Sequence, residues 1–179
     1  MEKIRKTNTK EIKEFKKWLI AENGYRFIDI FNYENDRIFL KNLLKEIKHI
    51  AFIKEIIKFL AVNKDEDVPG IIFQFSRKKF TLGYRSSLLV LLEKYNCEDY
   101  FFDLLKLFLK DSYNTTWFAF DILVKYIKKI NDFDLQSTSV VLKQHIKIEK
   151  DMDKKEYHEL FLKKIENEIK RRLNSKIQT

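Results

Sequence analysis

Glycine and proline are nearly absent from this chain, and their scarcity constrains the fold more than any other feature of the sequence. Only three Gly and one Pro occur among 179 residues. Strand-rich folds join their strands through tight turns, which draw heavily on Gly, Pro and Asn. A chain of this length buries a core without disulfides or metals. We therefore predict an all-α protein, with short polar loops between helices, that forms a single domain over residues 1–179.

Helix signals follow one another closely in the first part of the chain. A capping-box pattern at Asn8 and Glu11 predicts a first helix that ends near Gly24. The apolar spacing after Asp36 predicts two antiparallel helices that break near His49, because a single helix over that stretch would be unusually long.

The segment Ile71–Phe80 has two interpretations. Its apolar residues alternate as in a β-strand. A lone strand would leave its backbone hydrogen-bonding groups without partners, so we predict a helix instead. Asp67 is the expected N-cap of this helix, with Pro69 in its first turn. A further helix is expected over residues 81–94.

Polar helix starts alternate with apolar stripes in the rest of the chain. Asn96, Asn114, Asp132 and Asp153 are the expected N-caps of four helices. The dipeptide Tyr-Asn stands at the first two of these starts. When the sequence is aligned with itself at a shift of about 32 residues, small residues align with small ones and apolar residues with apolar ones. A repeat of this length is typical of helical-repeat proteins. The pattern predicts stacked antiparallel hairpins, an α-solenoid of about seven to nine helices.

One segment carries a resemblance to a known group of proteins. The sequence YRSSLLVLLEKYNCEDYFFDLLKLFLKDSYNTTWFAFDIL places Arg85 before a Leu-rich helix, then an Asn-Cys turn with acids, an aromatic-leucine helix and a second Asn turn. It resembles the HEAT-like helical-repeat proteins of bacteria, over roughly Ile38 to Ile146. Thr116 departs from the pattern, which has Glu at that point.

The resemblance implies a function as well as a fold. Small bacterial proteins of this kind include immunity proteins, some from contact-dependent growth inhibition systems, which bind and block a cognate toxin domain. By this resemblance the chain is expected to be a non-enzymatic inhibitor whose partner is a toxin domain and which uses no cofactor.

An acidic and aromatic cluster is the candidate partner-binding site. If the two helices concerned are neighbours in a stack, their first turns share one rim, and Tyr and Trp are enriched in binding hot spots. Carboxylates suit a basic partner such as a nuclease toxin. In the competing interpretation, Trp117 belongs to the core and the acids cap helices. The candidate residues are Glu98, Asp99, Tyr100 and Asp103 on one helix, and Tyr113, Trp117 and Asp121 on the next.

Residue types that carry out catalysis are sparse in this sequence. His49, His145 and His158 lie far apart along the chain, so no metal site is predicted. Cys97 is a single cysteine with no orienting group nearby. No Gly-rich phosphate loop occurs, since the three Gly are scattered. We predict a protein without enzymatic activity.

The net charge of +9 has two interpretations. Of the 36 cationic residues only seven are Arg, the side chain best suited to grip phosphates. The preferred interpretation is a solvated Lys-rich surface in which cations complement helix dipoles. The alternative is a nucleic-acid-binding repeat protein that uses the basic clusters Ser76–Phe80, Lys125–Lys129 and Lys170–Arg172.

Membrane and secretion signals are missing from the sequence. No apolar run approaches the roughly 20 residues of a membrane span, and the N-terminal residues have no signal-peptide pattern. Together with the single cysteine, this predicts a cytoplasmic protein without a membrane partner.

Overall fold

The computed structural model describes residues 31–177, so the helix predicted from Asn8 to Gly24 lies outside the described part of the chain. The described residues are helical, without a strand, which confirms the all-α class. Three short 3-10 segments, Lys79–Thr81, Val90–Leu92 and Glu98–Tyr100, accompany the helices. The eight α-helices are α1 (Tyr33–Glu46), α2 (Ile50–Val62), α3 (Val68–Ser76), α4 (Arg85–Leu89), α5 (Phe101–Lys110), α6 (Tyr113–Val124), α7 (Asp132–Ile148) and α8 (Met152–Ile177).

The chain forms two compact units, Met1–Thr81 and Leu82–Thr179. Compact units of this size can belong to one domain, so the expectation of a single domain stays a prediction. Among residues 31–177, none of the helices combines the length and the apolar character that crossing a bilayer requires.

The described part of the first unit is a succession of three helices. α1 packs against α2, and α2 packs against α3. The chain leaves helical geometry at Ile47 and resumes it after His49, so the predicted pair of helices is confirmed. Their inner faces carry the predicted apolar stripes, which are buried at Leu40, Leu43, Leu44, Ile53, Ile56, Ile57 and Leu60.

The loop between α2 and α3 is fixed by the buried carboxylate of Asp65. This carboxylate accepts hydrogen bonds from the Tyr33 hydroxyl at 2.9 Å and the Asp67 N–H at 3.0 Å, and Lys41 Nζ lies 2.7 Å away. Burial alone would raise the pKa of Asp65, but these partners outweigh burial and lower it. Asp67 stands at the N-cap of α3 as predicted, yet its side chain makes no capping hydrogen bond.

The ambiguous segment after Pro69 is helical. α3 continues to Ser76, which confirms helix over strand there, and a 3-10 turn at Lys79–Thr81 follows. The single helix predicted over residues 81–94 is wrong. Gly83 adopts a φ of 83°, a left-handed conformation that ends helical geometry, and only α4 and the 3-10 turn Val90–Leu92 follow.

In the second unit, α6 is the central helix. It packs against α4, α5 and α8, and α8 packs in turn against α7. The inner face predicted for α5 is confirmed, since Phe101, Leu104, Leu105 and Phe108 are all buried.

Three predicted helix starts in this unit are displaced by one or two residues. α6 begins after Ser112 rather than Asn114. Asn131, not Asp132, accepts from the Asp134 N–H at 2.9 Å at the start of α7. Asp151, not Asp153, accepts from the Lys154 N–H at 3.1 Å at the start of α8. Adjacent residues with short polar side chains compete for the N-cap, and the backbone conformation decides between them.

Candidate functional site

Four of the seven residues predicted to form one rim lie at the start of α5, and Tyr113 lies at the opposite end of the α5–α6 hairpin, with Trp117 and Asp121 following it along α6. Only Asp111 and Ser112 separate the two helices, and their contacts pair them antiparallel. At one end the Cys97 N–H donates to the Tyr126 hydroxyl at 2.7 Å. At the other end the Thr116 hydroxyl donates to the Phe108 carbonyl at 3.0 Å. The first turn of α5 therefore adjoins the end of α6, whereas the first turn of α6 adjoins the end of α5.

Three of the seven residues share one stripe of α6. Tyr113, Trp117 and Asp121 stand four residues apart, which places them on the same side of the helix. Tyr113 is 42% exposed and Trp117 is 41% exposed, so the interpretation of Trp117 as a core residue is wrong. Tyr157 of α8 packs beside this stripe, with ring centroids 5.9 Å from Tyr113 and 5.5 Å from Phe120.

This surface, which we name the Trp117 face, comprises Tyr113, Trp117 and Asp121 of α6 with Glu156 and Tyr157 of α8. Burial raises the pKa of Tyr157, and the hydrogen bond with Tyr113 and the nearby charges of Asp121 and Glu156 raise it further. Two carboxylates therefore lie close to this aromatic surface. Exposed aromatic rings beside acids are suited to a cationic or amphipathic partner surface.

The other four predicted residues sit in a different environment. Three of them form the 3-10 turn that leads into α5, and Asp103 lies in the first turn of α5. Glu98 Oε2 lies 3.4 Å from Lys129 Nζ. Lys129 also stands over the ring of Tyr126, 5.4 Å from its centroid. The charge of Glu98 is therefore partly balanced within the protein. A partner-binding role for Glu98, Asp99, Tyr100 and Asp103 stays a prediction.

The basic cluster Lys170–Arg172 has a structural role in part. The Arg172 guanidinium joins α8 to the segment between α6 and α7, where it donates to the carbonyls of Ile127 (3.3 Å), Lys128 (3.0 Å) and Ile130 (2.8 Å). It also binds Glu168 and Asp132, each at 2.8 Å. We name Arg172, Glu168 and Asp132 the Arg172 clamp. Arg172 thus holds the turn after α6 against α8 through hydrogen bonds within the protein.

Other arginines are similarly engaged within the protein. Arg85 forms an ion pair with the buried carboxylate of Asp111. Arg171 binds Glu168 through two nitrogens, at 2.6 and 2.8 Å. Guanidinium groups bound to carboxylates are not poised to bind phosphates, so these contacts count against the nucleic-acid interpretation.

Cys97 is a core residue of the second unit. Its side chain is fully buried, and burial raises the pKa of the thiol to about 11, against the opposing effect of Lys125. The thiolate is the reactive form, and it is scarce at neutral pH when the pKa is this high.

Two of the three histidines are neighbours, contrary to the expectation that all three lie apart. The ring centroids of His145, near the end of α7, and His158, in α8, are 5.1 Å apart. Glu149, the C-cap of α7, completes the group, with Oε2 3.4 Å from His145 Nε2. One ligand-type atom from each residue lies within 4.8 Å of the other two. We name these three residues the histidine cluster.

The charge states in the histidine cluster follow from its surroundings. Burial would raise the pKa of Glu149, but hydrogen bonds from the Asp151 and Lys150 N–H groups and from Lys154 lower it to about 2. Burial lowers the pKa of His158, so its imidazole is neutral at neutral pH. The cluster therefore joins a neutral imidazole to an ionised carboxylate.

The sequence indicates two of the three residues of this cluster. His145 and Glu149 are four residues apart, the spacing at which two side chains of one helix face each other. His158 joins them only because the chain reverses between Ile148 and Met152. The sequence locates that reversal only if the residue that caps α8 is known.

Comparisons with known proteins provide no relative, since no protein-family model, no curated protein and no solved structure matches this chain.

Proposed function

We propose that this protein is a non-catalytic inhibitor that binds and neutralises a bacterial toxin domain, in the manner of an immunity protein. The observation that supports it most strongly is the Trp117 face, where two aromatic side chains remain more than 40% exposed on a single stripe of a helix. Side chains of this kind are enriched at the centres of protein interfaces.

We propose further that the helices of the second unit stack as HEAT-like hairpins. α6 packs against both α4 and α8, so alternate helices are neighbours as they would be in a short solenoid. Such stacking presents the outer stripe of the central helix along an extended surface, and the Trp117 face is that stripe.

The partner that fits this surface is a basic protein domain. A nuclease toxin needs positive charge to hold phosphates. We expect the carboxylates of Asp121 and Glu156, which lie near Tyr157, to take the place of those phosphates in the complex. The net charge of +9 opposes a general attraction, so the proposal depends on this local acidic surface within a basic body. Inhibition by occlusion requires no cofactor, and the proposed site of action is the cytoplasm.

The proposal is tested by affinity capture from the source strain, with this protein as bait and the Trp117 face left free of any tag. Captured proteins are identified by mass spectrometry, and their binding to this protein is then measured. Trp117→Ala should weaken binding by about 30-fold, since a hot-spot truncation costs about 2 kcal/mol or more. The captured domain should be toxic when expressed alone and harmless when expressed together with this protein.

A matched control is available on the neighbouring helix. Phe102 of α5 is 53% exposed, so Phe102→Ala removes a comparable aromatic ring outside the Trp117 face and should leave binding unchanged. Simultaneous replacement of Glu98, Asp99 and Asp103 by Ala tests whether the partner binds at the other end of the hairpin. If the triple variant lost binding and Trp117→Ala retained it, the interface would lie at the start of α5 and not at the Trp117 face. Capture of nothing but nuclease-sensitive material would favour the nucleic-acid alternative instead.

A further inference from the structure

The histidine cluster has the ligand types of a transition-metal site. Two imidazoles and one carboxylate are a frequent set for Zn²⁺ with an open fourth position. His145 and Glu149 come from the end of α7, and His158 comes from the second turn of α8. The packed α7–α8 pair therefore holds ligands from two helices on either side of one short turn.

The distances within the cluster fit a small tetrahedral ion. Two ligand atoms about 2.1 Å from Zn²⁺ at a tetrahedral angle are about 3.4 Å apart. His145 Nε2 and Glu149 Oε2 are separated by 3.4 Å. One ligand-type atom from each of the three residues lies within 4.8 Å of the other two, so a movement of at most about 1.4 Å brings His158 to the tetrahedral spacing.

The tautomer of His158 is set by a neighbouring carbonyl. His158 Nε2 lies 3.1 Å from the carbonyl oxygen of Phe108, near the end of α5. A carbonyl can only accept, so Nε2 carries the hydrogen and Nδ1 presents a lone pair. The hydrogen bond from a ligand imidazole to a backbone carbonyl is the usual second-shell support of metal-binding histidines.

Two ring nitrogens of the cluster lack hydrogen bonds among the described residues. They are Nδ1 of His158, whose side chain is fully buried, and Nε2 of His145. Buried polar atoms are nearly always paired, because an unpaired atom loses its interaction with water without compensation. Two such atoms beside one ionised carboxylate mark a place where a cation would satisfy all three groups.

The carboxylate is also held in position. Glu149 Oε1 accepts from the N–H groups of Lys150 at 2.9 Å and Asp151 at 3.0 Å. These bonds leave Oε2 directed toward His145. Lys154 Nζ, 3.2 Å from the same oxygen, is the competing cation. Its long flexible side chain can withdraw to solvent when a divalent ion takes its place.

We propose that His145, Glu149 and His158 bind one Zn²⁺ ion at the α7–α8 turn. Imidazole with carboxylate favours Zn²⁺ over Mg²⁺, which prefers oxygen ligands throughout. The fourth position is left for water or for a partner side chain, since the side chains of His145 and Glu149 keep 18% and 12% exposure. This site is separate from the Trp117 face and does not depend on the proposed inhibitor function.

The test is a titration of the untagged, chelator-treated full chain with zinc chloride, followed by calorimetry and by the visible spectrum of the Co²⁺ form. The expected result is one ion per chain. His145→Ala and Glu149→Gln should each weaken binding by at least about tenfold, the smallest effect usual for losing a supporting residue of a metal site. Lys154→Met should strengthen binding, because it removes the competing cation.

His49→Ala is the matched control, since His49 is exposed and lies in the other compact unit. This variant should bind Zn²⁺ as the unaltered protein does. Because His158 is fully buried, His158→Ala can fail to fold. The variants at His145 and Glu149 then decide whether the cluster binds Zn²⁺. Absence of binding by the unaltered protein, or binding that both His145→Ala and Glu149→Gln leave intact, would overturn the site.

Discussion

Two polar clusters hold opposite ends of α7 against α8, and they differ in how completely their hydrogen bonds are made. The Arg172 clamp lies at the start of α7, where Arg172 makes five hydrogen bonds, to two carboxylates and three carbonyls. The histidine cluster lies at the end of α7, where two ring nitrogens make none. The two clusters also differ in exposure, since Asp132 of the clamp is 44% exposed, whereas the side chains of the histidine cluster are at most 18% exposed.

The contrast separates a structural cluster from a candidate binding site. A saturated network contributes to stability and has no capacity left for a ligand. An unsaturated one contributes less to folding and retains free lone pairs. Substitutions at the two ends of α7 should therefore differ in their effect on the free energy of unfolding.

Arg172→Met should have the largest effect on stability. It leaves Glu168, which is only 6% exposed, with a single cationic partner, and it removes the donor to three carbonyls. Removing one partner of a buried pair costs about 3–5 kcal/mol. We expect a loss near the lower bound, about 3 kcal/mol, because the Arg172 side chain keeps 18% exposure. Urea denaturation measures it, and a loss below about 1 kcal/mol would contradict the structural role.

The second-largest expected effect is a loss of the clamp's contribution to stability in acid. Hydrogen bonds from Arg171, opposed by burial and reinforced by Arg172, lower the pKa of Glu168 from 4.5 to about 2. A lowered carboxyl pKa stabilises the folded state above the unfolded value, and this contribution is lost as the pH falls from 4.5 toward 2. Glu168→Gln should be less stable at neutral pH and should lose less stability in that window.

The loss should be reduced but not abolished in Glu168→Gln, because Glu149 has its pKa lowered to about 2 as well. Thermal unfolding midpoints of the unaltered protein and of Glu168→Gln, recorded across this pH range, measure the two losses. Parallel curves for the unaltered protein and Glu168→Gln would show that Glu168 does not contribute to the acid sensitivity.

The parts of this structure that were predictable from sequence are those with a strong period. The buried stripe of α5, Phe101, Leu104, Leu105 and Phe108, follows helical spacing, and the break near His49 follows from helix length. Cap positions were displaced where two polar residues compete, as at Asn131 and Asp132. The local backbone conformation decides such cases, and a residue pattern does not contain it.

The candidate sites depended on longer-range geometry. The seven-residue rim assumed that successive helix starts lie together, whereas a two-residue turn makes α5 and α6 antiparallel and separates those starts. His158 joins His145 only through the turn after Ile148. Both outcomes depend on where the chain reverses, which apolar periodicity alone does not locate.

Arg171→Ala compares a neighbour of the Arg172 clamp with the clamp's own arginine. Arg171 and Arg172 are adjacent and bind the same carboxylate, but the Arg171 side chain is 62% exposed. Exposed ion pairs contribute little, since ordering the side chain offsets much of the attraction. The urea midpoint of Arg171→Ala should shift by a small fraction of the shift in Arg172→Met. Equal shifts would mean that Glu168, and not the carbonyl contacts of Arg172, dominates the clamp.

His145→Leu should have the smallest effect when metal is removed by a chelator. Its Nε2 makes no hydrogen bond that the substitution would break, and Glu149 keeps Lys154 and two backbone N–H partners. A partly exposed pair at 3.4 Å contributes less than about 1 kcal/mol, and the Leu side chain can pack in the same space. A loss comparable to that of Arg172→Met in the presence of chelator would mean that the histidine cluster stabilises the fold directly, without a bound ion. A small loss with chelator and a large one with zinc chloride would locate the contribution of His145 in metal binding.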